Sequence, residues 1–164
     1  MTEAGTRPAM FDAPLDAWYV WVGLAVVSGT AAGVVTGMTA APPPDATGAA
    51  GTVDGVAASE YATTDERLLS NAEAVRVGVD SLSLRGPGGT THARFGYGPV
   101  TPAGGDADLE AVLHGTPPER VFGSPAALER AAAAQRRTDP QWRAADRLLV
   151  RRVRWEGTDV VLVG

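Results

Sequence analysis

The chain has 164 residues, and its 19 acids against 14 bases give it a net charge of −5. It contains no cysteine, and every base is an arginine. This composition excludes disulfides, thiolate metal sites, thiol nucleophiles and all lysine chemistry, including a P-loop lysine or a Schiff base. No cofactor or metal is predicted, since no cluster of ligating residues has the spacing of a known site.

The first predicted elements are an N-terminal tail, residues 1–16, and a transmembrane helix, residues 17–41. No charged residue occurs in the 28 positions between Asp16 and Asp45. At 1.5 Å per residue, the helix over residues 17–41 is roughly 37 Å long, and the hydrocarbon core of a bilayer is about 30 Å thick. Three prolines end it at residues 42–44, because proline cannot donate the helical hydrogen bond. The alternatives are a buried core helix or a signal peptide cleaved after Ala41.

Two groups of residues in this helix are candidate contact positions. Aromatic rings settle at the level of lipid headgroups, and three cluster at the N-terminal edge: Trp18, Tyr19 and Trp21. A stripe of small residues lets a second helix approach closely, and here glycine recurs every four residues: Gly29, Gly33 and Gly37. The predicted partners are therefore the lipid bilayer and membrane or envelope proteins, and the stripe also permits a homo-oligomer.

The distribution of bases predicts the orientation of this single-pass protein in the cell membrane. Arg7 is the only base before the helix, and the next is Arg67. The positive-inside rule then places the N-terminus in the cytoplasm and the C-terminal domain outside.

Residues 42–64 are rich in alanine, glycine, threonine and aspartate, which predicts a stalk or linker. A weak helix from Thr52 to Tyr61 is an alternative, although Gly55 disfavours it. An extracytoplasmic α+β domain is then predicted over residues 65–164, enough for one core without a metal or disulfide.

The domain begins with a predicted antiparallel meander. Valines alternate with other residues over 75–79, leucines alternate over 82–84, and the phase shifts at Asp80, which predicts a turn or bulge. Residues 86–89 read Gly-Pro-Gly-Gly and predict the next turn. A third strand follows, in which Ala93, Phe95 and Tyr97 share one face.

Two helices and a hairpin complete the predicted domain. Asp106 caps a helix that reaches His114, and Ser124 caps a second helix over residues 126–137. Strands over residues 148–155 and 159–163 flank a Glu-Gly-Thr turn. The predicted fold class is α+β, an antiparallel sheet with two packed helices. One core is expected with Trp155 near its centre, formed by Phe95, Tyr97, Leu109, Val112, Leu113, Phe122, Leu128, Val153, Trp155 and Leu162.

Nine of the 14 arginines lie in residues 120–164, which raises the question of a nucleic-acid or anionic-lipid patch. The arginines of residues 151–154 fall on both faces of a predicted strand, and acids elsewhere can pair with them. The whole chain is also acidic. We therefore expect no nucleic-acid partner.

Candidate catalytic residues are few. The two histidines, His92 and His114, lie in different predicted elements, and Ser124 is followed by proline rather than standing in a G-x-S-x-G turn. We predict no catalytic residue and no enzyme. The competing hypothesis is a membrane-tethered hydrolase built from serine, histidine and aspartate residues gathered in space. It requires a histidine within about 3.2 Å of a serine or carboxylate in a concave pocket.

Several segments resemble a small haloarchaeal family of membrane proteins of unknown function: residues 10–23, the Ala-Pro-Pro-Pro-Asp stop, the Ser-Leu-Arg-Gly-Pro-Gly-Gly turn and the final Trp-Glu-Gly-Thr-Asp-Val. Members of that family tend to be encoded beside components of type IV pilus or type II secretion assemblies. The resemblance implies an accessory or pilin-like role in the cell envelope and no catalytic residue. The chain lacks the basic segment and cleavage site of a prepilin, since Asp12 and Asp16 precede its hydrophobic segment.

Overall fold

The computed structural model describes residues 41–164 and, before them, only Val22. The predicted tail and transmembrane helix therefore lie outside the described residues, apart from Val22 and Ala41. So do all six residues singled out in that helix: Trp18, Tyr19, Trp21, Gly29, Gly33 and Gly37. Within the part of the chain that is described, no helix is both long and apolar enough to cross a bilayer. From Ala41 onward the chain belongs to one compact unit, here called the C-terminal domain.

The first helix of the domain, α1 (Ala46–Ala58), occupies the segment predicted to be a stalk. That prediction is wrong. Asp45 caps the helix by accepting a hydrogen bond from the Gly48 amide at 2.8 Å. Gly51 and Gly55 lie on the side where a Cβ atom would meet nothing, and the opposite side is buried: Ala46, Ala49, Ala50, Val53 and Val56. Burial of this stripe outweighs the poor helix propensity of glycine.

The first sheet has the strand order β1-β7-β8-β5. Its strands are β1 (Thr64–Leu68), β5 (Thr101–Pro102), β7 (Arg147–Trp155) and β8 (Thr158–Val163). β5 is parallel to β8, and the other pairings are antiparallel. The predicted terminal hairpin, β7–β8, is confirmed. Its turn places Glu156 and Gly157 at positive φ, 44° and 87°, as a tight two-residue hairpin turn requires.

The second sheet is antiparallel throughout, with the order β4-β3-β2-β6. Its strands are β2 (Ala74–Val77), β3 (Ser81–Gly86), β4 (Gly89–Arg94) and β6 (Arg143–Ala144). The predicted meander and both of its turns are confirmed. The third strand ends earlier than expected, however, because Phe95 and Tyr97 lie beyond Arg94 in a loop. There the Asp54 carboxylate of α1 accepts hydrogen bonds from the Gly96 and Tyr97 amides, at 2.8 and 3.0 Å.

Three further helices lie between β5 and β6: α2 (Ala107–Leu113), α3 (Pro118–Val121) and α4 (Pro125–Gln135). Both predicted caps are confirmed. Asp106 accepts from the Asp108 and Leu109 amides at 3.0 Å, and Ser124 accepts from the Ala127 amide at 3.2 Å. The short helix α3 was not predicted.

The domain has two hydrophobic cores instead of the single core expected from sequence. The first lies between α1, the inner face of the second sheet and one face of the first sheet; the second lies between the other face of the first sheet and helices α2 to α4. Strand β7 contributes to both, because Leu148 and Val150 face the first core and Val153 faces the second.

The residues of the predicted core are divided accordingly. Phe95 packs at the margin of the first core, and Tyr97 is exposed. Trp155 is only partly buried at the margin of the second core, so its predicted central position is wrong. The remaining seven share the second core as expected: Leu109, Val112, Leu113, Phe122, Leu128, Val153 and Leu162.

Candidate functional site

Three arginines project from the outer face of the second sheet. Successive side chains of a strand point to opposite faces, so the buried Val75, Leu82 and Leu84 fix which residues point outward. The strand register groups the outward residues in rows. One row holds Arg85 and Thr90, the next holds Arg76, Ser83 and His92, and the third holds Ser81 and Arg94.

Trp142 lies against two of these arginines. The Cζ atom of Arg76 is 4.9 Å from the centroid of the indole ring, and that of Arg85 is 4.4 Å from it. Trp142 directly precedes β6, which pairs with β2, and this pairing brings the ring to the sheet. Each cation–π contact holds a guanidinium in a fixed orientation and contributes about 0.5–1 kcal/mol at an exposed site. We call Arg76, Arg85, His92, Arg94 and Trp142 the basic face.

A small concavity of about 270 Å³ opens beside the middle row, and Pro140 and Gly78 lie at its edge. In it, the Ser83 hydroxyl lies 3.2 Å from Nδ1 of His92 and accepts a hydrogen bond from Arg76 at 3.4 Å. Ser83 is 4% exposed, whereas His92 is exposed. The buried hydroxyl of Ser83 therefore lies in the concavity next to the guanidinium of Arg76 and the imidazole of His92.

Within residues 41–164, no arginine of the basic face forms an ion pair. The ion pairs of the described chain use other arginines: Arg67, Arg143, Arg147, Arg152 and Arg154. Two guanidinium groups on one indole repel each other, and an anion between them would relieve that repulsion. The arrangement suits a phosphate or carboxylate, which arginine binds through parallel hydrogen bonds.

The arginines of β7 contrast with the basic face because they are built into the fold. Arg152 contacts Asp159 at 2.6 Å and donates to the Ala57 carbonyl at the end of α1 at 2.7 Å. Arg151 points to the other face and donates to the Val112 and Thr116 carbonyls at the end of α2. These side chains therefore tie β7 to the backbone at and just beyond the C-terminal ends of two helices. Their distribution over both faces of the strand is as the sequence predicts.

The Arg152–Asp159 pair also shifts both ionisation equilibria. The hydrogen bond from Arg152 lowers the pKa of Asp159 below its usual value, although partial burial opposes the shift. The same hydrogen bond raises the pKa of Arg152. Both groups are therefore charged at neutral pH, and the pair fastens the β7–β8 hairpin to α1.

A larger cleft, about 480 Å³, lies between α2, the end of α4 and the β2–β6 edge. Its floor is apolar and includes Val77 and Leu113. Two of its polar contacts are internal: Arg143 pairs with Glu110 at 2.9 Å, and Gln135 donates to the Gly104 carbonyl at 3.0 Å. His114 and Asp139 also line the cleft.

The distance criterion of the hydrolase hypothesis is met at one place. His92 lies 3.2 Å from the Ser83 hydroxyl, inside a concavity. The contact follows directly from the register, in which these two residues are cross-strand partners. No carboxylate hydrogen-bonds to the His92 ring among the residues described, so the pair lacks the third member that orients the base of a triad. His114 is exposed at the C-cap of α2, and Ser124 caps α4.

Apart from His92, which was considered as a catalytic candidate, the residues of the basic face were not among the sequence-predicted site residues. Their signal was present in the predicted strands, where arginine or histidine recurs at outward positions of three successive segments. Trp142 carried no such signal, because its contact with Arg76 crosses 66 positions of sequence. No group of three or more acidic or histidine side chains among the described residues is arranged to hold a metal ion.

Comparison with known proteins identifies a family. Residues 12–153 match a family of unknown function, DUF7283, and the chain belongs to it. The match extends from before the uncharged segment into the terminal hairpin. No curated protein and no solved structure matches the chain.

Proposed function

We propose that this member of the DUF7283 family is a single-pass membrane protein of the cell envelope that acts by interaction rather than catalysis. Its N-terminus is cytoplasmic and its C-terminal domain is extracytoplasmic. It serves as an accessory, pilin-like component of a type IV pilus or secretion assembly. The last part of the proposal depends on the resemblance to haloarchaeal proteins encoded beside such assemblies.

The main support is the path of residues 41–45, which join the uncharged segment to the domain. Pro44 is buried, and its carbonyl accepts a hydrogen bond from the Thr91 hydroxyl at 2.9 Å. A side chain at Gly88 would collide with the carbonyls of Ala41 and Pro42. Helix α1 begins at Ala46 and enters the first core. A span that ends at Ala41 would therefore be followed within a few residues by backbone that packs against the domain.

The helix itself supplies the proposed means of association. Lipid-immersed helices associate through close packing, and the stripe of Gly29, Gly33 and Gly37 would permit this with a membrane partner or a second copy. The aromatic cluster at the other end would fix the depth of the helix in the bilayer.

The anchor and orientation are tested with single cysteines, since the natural chain has none. The full chain with Thr2→Cys or Glu129→Cys is expressed, and intact cells are treated with a membrane-impermeant maleimide. Glu129 is exposed on α4. We expect labelling of Glu129→Cys in intact cells, labelling of Thr2→Cys only after lysis, and retention of both in membranes after alkaline carbonate extraction. Release by carbonate would contradict the anchor, and the reverse labelling pattern would contradict the orientation.

The assembly role is tested in a deletion strain complemented with variants. We expect deletion to reduce piliation or secretion, and Gly33→Leu to fail to restore it, because a leucine would separate the packed helices. Val34→Leu, at the next residue and off the glycine stripe, is the matched control and should restore piliation or secretion. Normal piliation and secretion in the deletion strain would exclude the assembly role.

A second candidate function is supported by the contact between Ser83 and His92. If this pair hydrolyses esters, the purified full chain should react with a fluorophosphonate probe, and Ser83→Ala should abolish the reaction. Ser124→Ala is the control, since Ser124 only caps a helix. A chain that remains unlabelled at Ser83 excludes this function and leaves the interaction proposal intact.

A further inference from the structure

We propose that the basic face of the second sheet binds the phosphate headgroups of an anionic bilayer, the membrane in which the chain itself is anchored. This inference rests on the proposed function, because it takes the uncharged segment to be a membrane span. It adds a second, peripheral membrane contact that orients the domain on the bilayer.

The first argument is the place where the chain enters the domain. The carbonyls of Ala41 and Pro42 lie against Gly88, in the β3–β4 turn. Arg85 stands one residue before this turn begins, so its row is the nearest to the entry point. Rows two residues apart are separated by about 7 Å along a strand. Arg76 and Arg94 therefore lie roughly 7 and 13 Å farther along the same face. A bilayer surface at residue 41 would therefore lie nearest to Arg85, and the domain would have to lean toward it for Arg76 and Arg94 to make contact.

The second argument is charge complementarity. Within the described residues, Arg76, Arg85 and Arg94 form no ion pair, and the three lie together on one face of the second sheet. Two of these guanidinium groups lie against the Trp142 ring, so both are held on the same part of the face. Juxtamembrane clusters of arginine are attracted to anionic lipid surfaces, and the attraction fades within a Debye length of the surface.

The third argument is the chemistry of Trp142. An indole ring combines an apolar body with one N–H donor, and tryptophan is enriched where headgroups meet the hydrocarbon core. The ring also keeps Arg76 and Arg85 in place before any lipid binds, which lowers the entropy lost on binding.

A tethered bilayer is favoured over a free acidic protein for this face. The anchor would hold lipid phosphate beside the face at a high effective concentration, so weak individual contacts suffice. The net charge of −5 opposes every anionic partner alike, so the tether is what favours the bilayer: an acidic peptide or a nucleic acid would have to arrive from solution.

The test uses the full chain in vesicles, with Thr90→Cys labelled by a fluorophore. Thr90 is exposed in the row of Arg85. The vesicles contain phosphatidylcholine alone or mixed with phosphatidylglycerol, plus a lipid that carries a nitroxide quencher on its headgroup. The control is Glu129→Cys on α4, which is exposed outside the basic face. We expect quenching at position 90 in the anionic vesicles, with little in neutral vesicles, little at position 129, and a decrease as salt is added.

Arginine variants in the Thr90→Cys background identify the contact. We expect Arg85→Gln and Arg76→Gln each to lower the equilibrium constant for the lipid-bound state about fivefold, because each removes one cation that would contact the anionic surface. Arg130→Gln changes the net charge equally but lies on α4, so it should leave the quenching unchanged. Equal effects of Arg85→Gln and Arg130→Gln would contradict a specific face.

Other outcomes separate the alternatives. Quenching that is as strong in neutral vesicles as in anionic ones overturns the proposal. So does a response of the Thr90→Cys label to soluble polyglutamate that exceeds its response to anionic lipid, which would identify an acidic peptide as the partner. Carbonate extraction of the same vesicles tests the anchor separately. A chain that is extracted, yet still floats with anionic vesicles and not with neutral ones, would contradict the anchor while supporting the basic face.

Discussion

The two sheets of the domain use arginine in opposite ways. In the first sheet, both faces are covered, and Arg151 and Arg152 of β7 reach the C-terminal carbonyls of two different helices. In the second sheet, only the inner face is covered, and Arg76 and Arg85 lie on a tryptophan with no carboxylate among the described residues. The same residue type therefore stabilises the fold in one sheet and remains available for binding in the other. The predictions below test that difference.

The largest expected effect is at Leu148, which is fully buried in the first core. Leu148→Ala should lower the free energy of unfolding by about 2–5 kcal/mol, because it removes apolar contacts and leaves a cavity. Thr90→Ala, on the bare face of the second sheet, should change it by less than about 0.5 kcal/mol. Urea titration of the full chain in detergent measures both. Similar losses at the two positions would show that the outer face is covered.

The next largest effect is expected at Arg152, whose side chain is 15% exposed. Arg152→Ala should cost about 1–3 kcal/mol, because it leaves the Asp159 carboxylate and the carbonyls at the end of α1 without their donor. Arg85→Gln, the counterpart on the basic face, should be close to neutral. If Arg85→Gln were as destabilising as Arg152→Ala, the functional distinction between the two arginine groups would fail.

The same pair predicts a dependence of stability on pH. The pKa of Asp159 is lower in the folded domain than its usual value, so the unfolded chain binds this proton more readily. The stabilisation is complete above the unfolded pKa, about 3.9, and is lost as the pH falls through the lower folded pKa. We expect Asp159→Asn to reduce the loss of stability below about pH 4, and urea midpoints measured at several pH values would show it. An unchanged acid profile would mean that other carboxylates dominate.

A smaller effect distinguishes the two tryptophans of the domain. Trp155 is partly buried at the margin of the second core, so Trp155→Ala should cost about 1–2 kcal/mol rather than the 3–5 typical of a central aromatic residue. Trp142→Ala should also cost about 1–2 kcal/mol, since it removes the cation–π contacts with both Arg76 and Arg85. It should nevertheless abolish most of the lipid-dependent quenching at position 90, whereas Trp155→Ala should not. The opposite pattern would assign the lipid contact to the first sheet.

Local features of the fold were predictable because each depends on a few adjacent residues. Asp106 and Ser124 cap helices through their own side chains, and the phase shift at Asp80 marks a turn regardless of what packs nearby. The terminal hairpin follows from strand alternation on either side of a Glu-Gly turn. The same alternation placed the arginines of β7 on both faces of their strand.

The predictions that failed concern features that depend on contacts with distant parts of the chain. The sequence of α1 resembles a linker, and the helix is stable because two sheets bury its small residues. Val153, Trp155 and Leu162 were predicted to share the one core, but Leu148, Val150 and Val163 of the same hairpin face another, so the hairpin separates two cores.

The sequence by itself determined the uncharged segment, the turns, the helix caps and the alternation of the strands, because these depend on composition and on neighbours a few residues apart. Only the tertiary structure decided that residues 46–58 belong to the core and that Trp142 meets Arg76 and Arg85. Those contacts depend on which strands pair and on which elements pack against each sheet. Such pairing is selected by the burial of the whole domain, and no short stretch of the chain encodes it.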